Sequence, residues 1–166
     1  MTGNPEVRLP TLVPLDEAVN AGLPAVHQPL TRLPFRVGRD LRRPDRRRFR
    51  WFRERRRGSA GPNDLYLPEA APPHRISRQH FLIGFDPEAQ CFFLEDCSSS
   101  CGTHVGELKI GGDRVGGRRV LQHGDVIRPG GEHSPFVFRF LMPAGTSGPN
   151  GKGRPLPLAE AQRDRP

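Results

Sequence analysis

The spacing of apolar residues in this 166-residue chain predicts an all-β sandwich of two mostly antiparallel sheets. Three features carry that reading. Eight of the ten phenylalanines, Phe35, Phe81, Phe85, Phe92, Phe93, Phe136, Phe138 and Phe140, fall in short apolar runs. Turn-forming residues separate the runs: Asp86-Pro87, Gly111-Gly112-Asp113, Gly116-Gly117 and Gly130-Gly131. No convincing amphipathic helix interrupts them, and no repeat recurs at a fixed period of roughly 20–50 residues.

Taken in chain order, residues 1–29 carry Pro5, Pro10, Pro14, Pro24 and Pro29. That spacing is expected to prevent regular ladders and to leave at most one helical turn over 15–21, so the segment is predicted to be a flexible arm. The folded domain is expected over 30–142, with strands at 35–39, 65–67, 81–85, 91–95, 108–110, 119–121 and 125–128. Phe136, Phe138 and Phe140 then alternate with Val137, Arg139 and Leu141. Period two places the three rings on one buried face. Residues 143–166 show neither period and no aromatic residue, so they cannot bury enough surface to offset their conformational entropy. They are predicted to be a disordered tail.

The formal charge is +8, from 26 basic against 18 acidic residues. Only Lys109 and Lys152 are lysine, so the cations are almost all planar guanidiniums, which suit phosphate or carboxylate. No apolar stretch approaches the ~18–20 residues that a bilayer span needs, and Glu6 and Arg8 stand where a secretory leader would be apolar. A soluble, cytoplasmic protein with no membrane partner is expected. Three cysteines, Cys91, Cys97 and Cys101, are too few for a disulfide scaffold and fit a reducing compartment. Cys91 is expected to face the core, at alternating positions with Phe93.

Residues 40–61 break the strand pattern. Ten arginines stand there against Asp40, Asp45 and Glu54, a surplus of seven charges in what reads as a long loop inserted in the sandwich. Phe49, Trp51 and Phe52 are interleaved with the arginines. Such a composition can stack on bases while neutralising phosphates, which defines an alternative function as a nucleic-acid binder. The more economical reading is that the loop, following Arg39 directly, widens a basic surface for acidic or multiply phosphorylated partners.

Three further segments qualify as anion-binding loops. Gly38-Arg39 ends a strand with a close backbone approach and a two-pronged fork. His74-Arg75-Ile76-Ser77-Arg78-Gln79-His80 concentrates hydroxyl, guanidinium and imidazole before an apolar strand. Residues 96–103, Asp96-Cys97-Ser98-Ser99-Ser100-Cys101-Gly102-Thr103, are small and rich in hydroxyls.

In that order, Gly38-Arg39, Asn63-Asp64-Leu65-Tyr66-Leu67, Ser77-Arg78-Gln79-His80, Ser99-Ser100-Cys101-Gly102-Thr103 and Leu121 with Gly124-Asp125-Val126-Ile127 resemble the motifs of the forkhead-associated (FHA) domain family. The resemblance covers about residues 30–142. It implies an FHA-like sandwich whose apical loops bind threonine-phosphorylated partners. Carried over by position, Arg39 and Ser77 would contact the phosphate, Ser100 would add a hydroxyl, and Arg78 would face the peptide. Cys101 stands where the family usually has an Asn that bonds the peptide main chain, so that contact is expected to be lost or replaced. His80 would hold the loops by hydrogen bonds from a buried position, and Gly38, Gly102 and Asp125 would be structural.

Other chemistry finds little support in these residues. Cys97, Cys101 and His104, with His123 or His133, form one cluster, whereas structural zinc sites usually draw paired ligands from two loops. Ser98-Ser99-Ser100 lacks a nucleophile elbow, and the glycine pairs fit neither a dinucleotide nor a Walker loop. A non-catalytic protein without metal or cofactor is expected. Arg39 and Ser77 could also simply close a loop in a sandwich that acts as a phosphate-independent scaffold.

Overall fold

Eleven strands form among the residues that the computed structural model describes, 9–17, 19, 22–40, 62–69 and 72–143. They are β1 (Thr11–Pro14), β2 (Gln28–Pro29), β3 (Phe35–Arg39), β4 (Leu65–Leu67), β5 (Phe81–Asp86), β6 (Cys91–Asp96), β7 (Thr103–Val105), β8 (Leu108–Ile110), β9 (Gly117–Val120), β10 (Val126–Pro129) and β11 (Phe138–Leu141). One sheet has the order β2-β1-β11-β10-β7-β8 and the other β4-β3-β5-β6-β9. Every pairing between them is antiparallel except β3 with β4. The fold is thus an all-β, mostly antiparallel pair of sheets.

The two inner faces form one apolar core. Val37, Leu65, Leu67, Phe81, Ile83 and Leu94 of the five-stranded sheet are buried with Leu12, Val105, Ile127, Phe138 and Phe140 of the six-stranded one. Burial of this kind is the main favourable term in folding, about 1.5–3 kcal/mol for each large apolar side chain. Phe136, Phe138 and Phe140 are buried while Arg139 is exposed, as their alternation requires. Phe92 packs on Phe140 at a ring separation of 5.7 Å.

The pairing scheme also decides where the loops go. β3 runs towards Arg39 and pairs antiparallel with β5, so β5 begins beside the end of β3, Phe81 opposite Val37. β6 ends at Asp96 opposite Phe81, and β9 starts at Gly117 opposite Asp96. In the other sheet Thr103, at the start of β7, faces Ile110 and Pro129, at the ends of β8 and β10. The end of β3 and the segments before β5, between β6 and β7 and between β8 and β9 therefore all lie at one end of the sandwich.

Several sequence expectations are corrected. The prolines of residues 1–29 do not exclude ladders: Thr11–Pro14 pairs with β11 along its whole length and with β2 at its start. Pro10 and Pro14 sit at the strand's boundaries, so Thr11, Leu12 and Val13 keep their N–H groups, and Leu12 is fully buried. β7 escapes a hydropathy reading because Thr-His-Val is short and mostly polar. Cys91 is buried, but it shares the outer face with Phe93, while Phe92 and Leu94 face the core. That outer face is covered instead by Arg118, whose guanidinium carbon lies 3.3 Å from the centroid of the Phe93 ring. Apart from Asp40 and Pro143, the arginine-rich segment and the C-terminal tail lie outside the described residues. Among the described residues no helix is long and apolar enough to cross a membrane.

Candidate anion-binding site

The loops at this end are laced to one another by main-chain and buried polar contacts. Gly38 lies so close to the second loop that a Cβ on it would stand 2.1 Å from the Arg78 carbonyl oxygen and 2.6 Å from Asn63 Nδ2. Only glycine permits that approach. The next residue donates its N–H to the Ser77 carbonyl at 2.9 Å, and the His80 N–H donates to the Val37 carbonyl at 2.9 Å. Asn63 Nδ2 adds a bond to the Arg78 carbonyl at 2.7 Å. The main chain at Arg39 is thereby fixed by contacts on both sides of the strand end.

Two side chains shape the second loop, half-buried Glu69 and buried His80. Glu69 accepts the N–H groups of Arg75 at 2.7 Å and Ile76 at 3.1 Å. His80 is fully buried, accepts the Ser77 N–H on Nδ1 at 2.9 Å, and has Nε2 3.1 Å from the Gly102 carbonyl. Because Nδ1 receives a proton donor, the neutral ring must carry its hydrogen on Nε2, which donates to Gly102. One imidazole thus joins the second loop to the third.

Burial holds the His80 pKa below the ordinary 6.5, against the raising effects of the Gly102 carbonyl, Asp96 and Glu69. Protonation would set an N–H on Nδ1 against the Ser77 N–H, so geometry points the same way. The sign follows from linkage: between the lowered folded value and about 6.5 the unfolded chain binds the extra proton. The contribution of His80 is therefore complete above about pH 6.5 and is lost as pH falls through the folded value. Urea midpoints measured between about pH 7.5 and 5 are expected to fall on acidification, and His80→Gln should flatten that fall. An equally steep fall in the variant would assign the acid sensitivity to other groups.

The third loop is organised by Asp96, which is 2% exposed. Its carboxylate accepts the Ser99 N–H at 2.8 Å, the Ser99 hydroxyl at 2.8 Å and the Thr103 hydroxyl at 2.9 Å. Ser99 Oγ in turn accepts the Gly102 N–H at 2.8 Å. Gly102 has φ +78, the left-handed region that its position in this loop suggested. Ser100 is left at the exposed tip, its N–H donating to Ser77 Oγ at 3.2 Å.

These loops enclose a cavity of about 980 Å³. Arg39, Ser77, Arg78 and Ser100 all line it, together with Asn63, Tyr66, His74, Ser98 and the carboxylate-bearing Asp40. Cys101, half-buried, is not among the lining residues. Arg114 does line it, and no motif pointed to that residue. The other named residues sit in the frame: Gly38, His80 and Gly102 at the loop junctions, and Asp125 elsewhere, where its Oδ2 accepts the Gln122 N–H at 2.8 Å. A concave surface presenting guanidiniums and several hydroxyls is suited to an anion with several acceptor oxygens.

Cys97 and Cys91 are poor nucleophiles. Burial foremost, then the carboxylates of Glu95 and Asp96, push Cys97 up to about 11, opposed by Arg36. Burial likewise raises Cys91. All three cysteines are free thiols. Among the described residues no group of three or more His, Cys, Asp or Glu is placed to hold a metal ion.

The architecture is that of a β-sandwich with a polar, loop-built cavity at one end. Residues 55–130 match the family model of the FHA domain. The match begins downstream of Gly38-Arg39, which join the matched region through the pairing of β3 with β4 and β5. Solved structures similar to the chain include one described as an analysis of phosphothreonine-dependent FHA domain interactions, at 21% identity and TM-score 0.47, covering 80% of this chain and 95% of that one. Another is the FHA domain of the CT664 protein from Chlamydia trachomatis, at 20% identity and TM-score 0.49, with the same coverages. A third is Mycobacterium tuberculosis EmbR in complex with a low-affinity phosphopeptide, at 25% identity and TM-score 0.48. That match covers 85% of this chain and about a quarter of EmbR (26%). No curated protein matches the chain.

Proposed function

We propose that this chain is a non-catalytic interaction module that captures threonine-phosphorylated segments of partner proteins in Ser/Thr-kinase signalling, on the cytoplasmic side of any membrane. The observation that carries the reading is the convergence of Arg39, Ser77 and Ser100 on one cavity, although they come from three separate loops. A phosphothreonine brings about −1.5 to −2 charges and three strong acceptors at neutral pH. The Arg39 fork and the two hydroxyls complement those oxygens, and the Ser77 hydroxyl already accepts the Ser100 N–H, so its proton is free to point outward. Arg78, exposed at the rim, faces the peptide flanking the phosphate.

Fluorescence anisotropy with a degenerate phosphothreonine peptide pool, its unphosphorylated twin and a random oligonucleotide, at two salt concentrations, tests the proposal. Binding confined to the phosphorylated pool supports it. Binding to both peptide pools alike would mark a phosphate-independent scaffold. Steeply salt-dependent binding to the oligonucleotide alone would move the function to the arginine-rich segment.

A further inference from the structure

Arg114 lies on the connection between β8 and β9, in the segment Gly111-Gly112-Asp113-Arg114-Val115-Gly116-Gly117. The Val115 N–H donates to the Gly112 carbonyl at 2.9 Å, closing a tight turn whose central residues are Asp113, φ 52, and Arg114, φ 63. Two successive left-handed residues are the pattern of a type I′ turn, in which glycine is strongly preferred at the second central position. Four of the seven residues in this segment are glycine, yet that position holds an arginine. A non-glycine side chain there costs conformational energy, and such strain persists where the surroundings and a function require it.

The surroundings hold the turn against the phosphate loop. The Asp113 N–H donates to the Ser100 carbonyl at 3.0 Å and the Arg114 N–H to the Ser99 carbonyl at 3.1 Å. On either side, a Cβ on Gly111 would stand 2.4 Å from Asp96 Oδ1, and one on Gly116 would stand 3.0 Å from the Asp96 carbonyl oxygen. The turn is therefore seated on the residues that also place Ser100. Its arginine side chain is exposed, lines the cavity, and makes no hydrogen bond or ion pair among the described residues.

The cavity is larger than one phosphate requires. At about 980 Å³ it reaches the upper end of the roughly 300–1,000 Å³ of ligand pockets, so residues flanking the phosphothreonine enter it too.

We propose that Arg114 recognises a second anionic group, a carboxylate or a phosphate, on the peptide bound in this cavity, and that the strained turn is retained to aim it. The inference rests on the phosphopeptide reading above. Its test uses the full chain and four peptide pools: phosphothreonine with neutral flanks, the same with single Asp or Glu substitutions at each flanking position, the same with a second phosphoserine, and an unphosphorylated acidic pool. Wild type, Arg114→Gly, Arg114→Lys and Arg39→Ala are compared.

At least one acidic or doubly phosphorylated pool is expected to bind wild type about tenfold more tightly than the neutral pool, the scale of one charge-assisted hydrogen bond. The two anionic pools distinguish a carboxylate from a phosphate as the group read. Arg114→Gly should erase that preference while keeping the neutral phosphopeptide, and should raise Tm by about 2–6 °C as the turn relaxes. Arg114→Lys should keep part of the preference without the gain in Tm. Equal affinities for all phosphorylated pools, or a preference that survives Arg114→Gly, would overturn this inference and leave phosphothreonine capture standing. Failure of the neutral phosphorylated pool to bind wild type would overturn the capture reading itself, and the inference with it.

Discussion

Arg39→Ala is expected to lower affinity for a phosphothreonine peptide by at least about 100-fold while leaving the urea midpoint nearly unchanged. A guanidinium fork on a phosphate forms two charge-assisted hydrogen bonds, each about 1.5–3 kcal/mol, and alanine supplies neither. The fold has little to lose, because the structural contact of this residue is its main-chain N–H on the Ser77 carbonyl, which alanine keeps. Lysine at the same position should recover part of the binding as a point charge without the planar fork. Titration calorimetry and urea unfolding on the same preparations measure both quantities. A loss of less than about threefold would place the phosphate away from Arg39.

Asp96→Ala is expected to cost about 3–5 kcal/mol of folding stability, the largest effect of any single substitution considered for this fold. Its carboxylate serves three donors in a site closed to solvent, the Ser99 N–H and hydroxyl and the Thr103 hydroxyl. Alanine leaves all three without their acceptor, and each buried orphan costs about 1–3 kcal/mol, partly relieved where a hydroxyl rotates to a new partner. Asp96→Asn keeps the shape and one acceptor oxygen, so its cost should be roughly half. Urea unfolding of both variants checks the order. Equal and small losses would show that water replaces the carboxylate and that the third loop is less dependent on it than its geometry implies.

Recognition of this site from residue order alone was possible because three of its loops carry distinctive chemistry next to strongly apolar strands. Gly38-Arg39 precedes nothing apolar in sequence, yet it ends a clear strand, and Ser77-Arg78-Gln79-His80 abuts the run that becomes β5. The structure places Arg39, Ser77, Arg78 and Ser100 on one cavity. Asp96 carried no such signal. A carboxylate at the end of a strand reads as a solvated turn residue, and only the pairing of β6 with β5 and β9 shows that it is enclosed.

The same distinction separates the two ends of the folded region. The alternation of Phe136, Phe138 and Phe140 is a property of one strand, so local periodicity was enough to predict which face is buried. β1 is different. Thr-Leu-Val-Pro has no periodicity to detect, and its strand state comes from Leu12 closing over the core and from the main-chain partners that β11 and β2 provide.

Residue order alone therefore decided the class of fold, the main strands and the three polar loops that gather at one end of the sandwich, because alternation, turn residues and hydroxyl-rich segments are local properties. Tertiary structure decided that the N-terminal segment adds two strands, that Asp96 ties the third loop together from within, and that Arg114 reaches the same cavity as Arg39. Those outcomes depend on contacts between separate segments of the chain: a hydrogen bond from residue 114 to residue 99, or the contact of β1 with β11. Such contacts form only once the sheets have paired, when burial makes each unmatched polar group costly enough to select one arrangement of the loops.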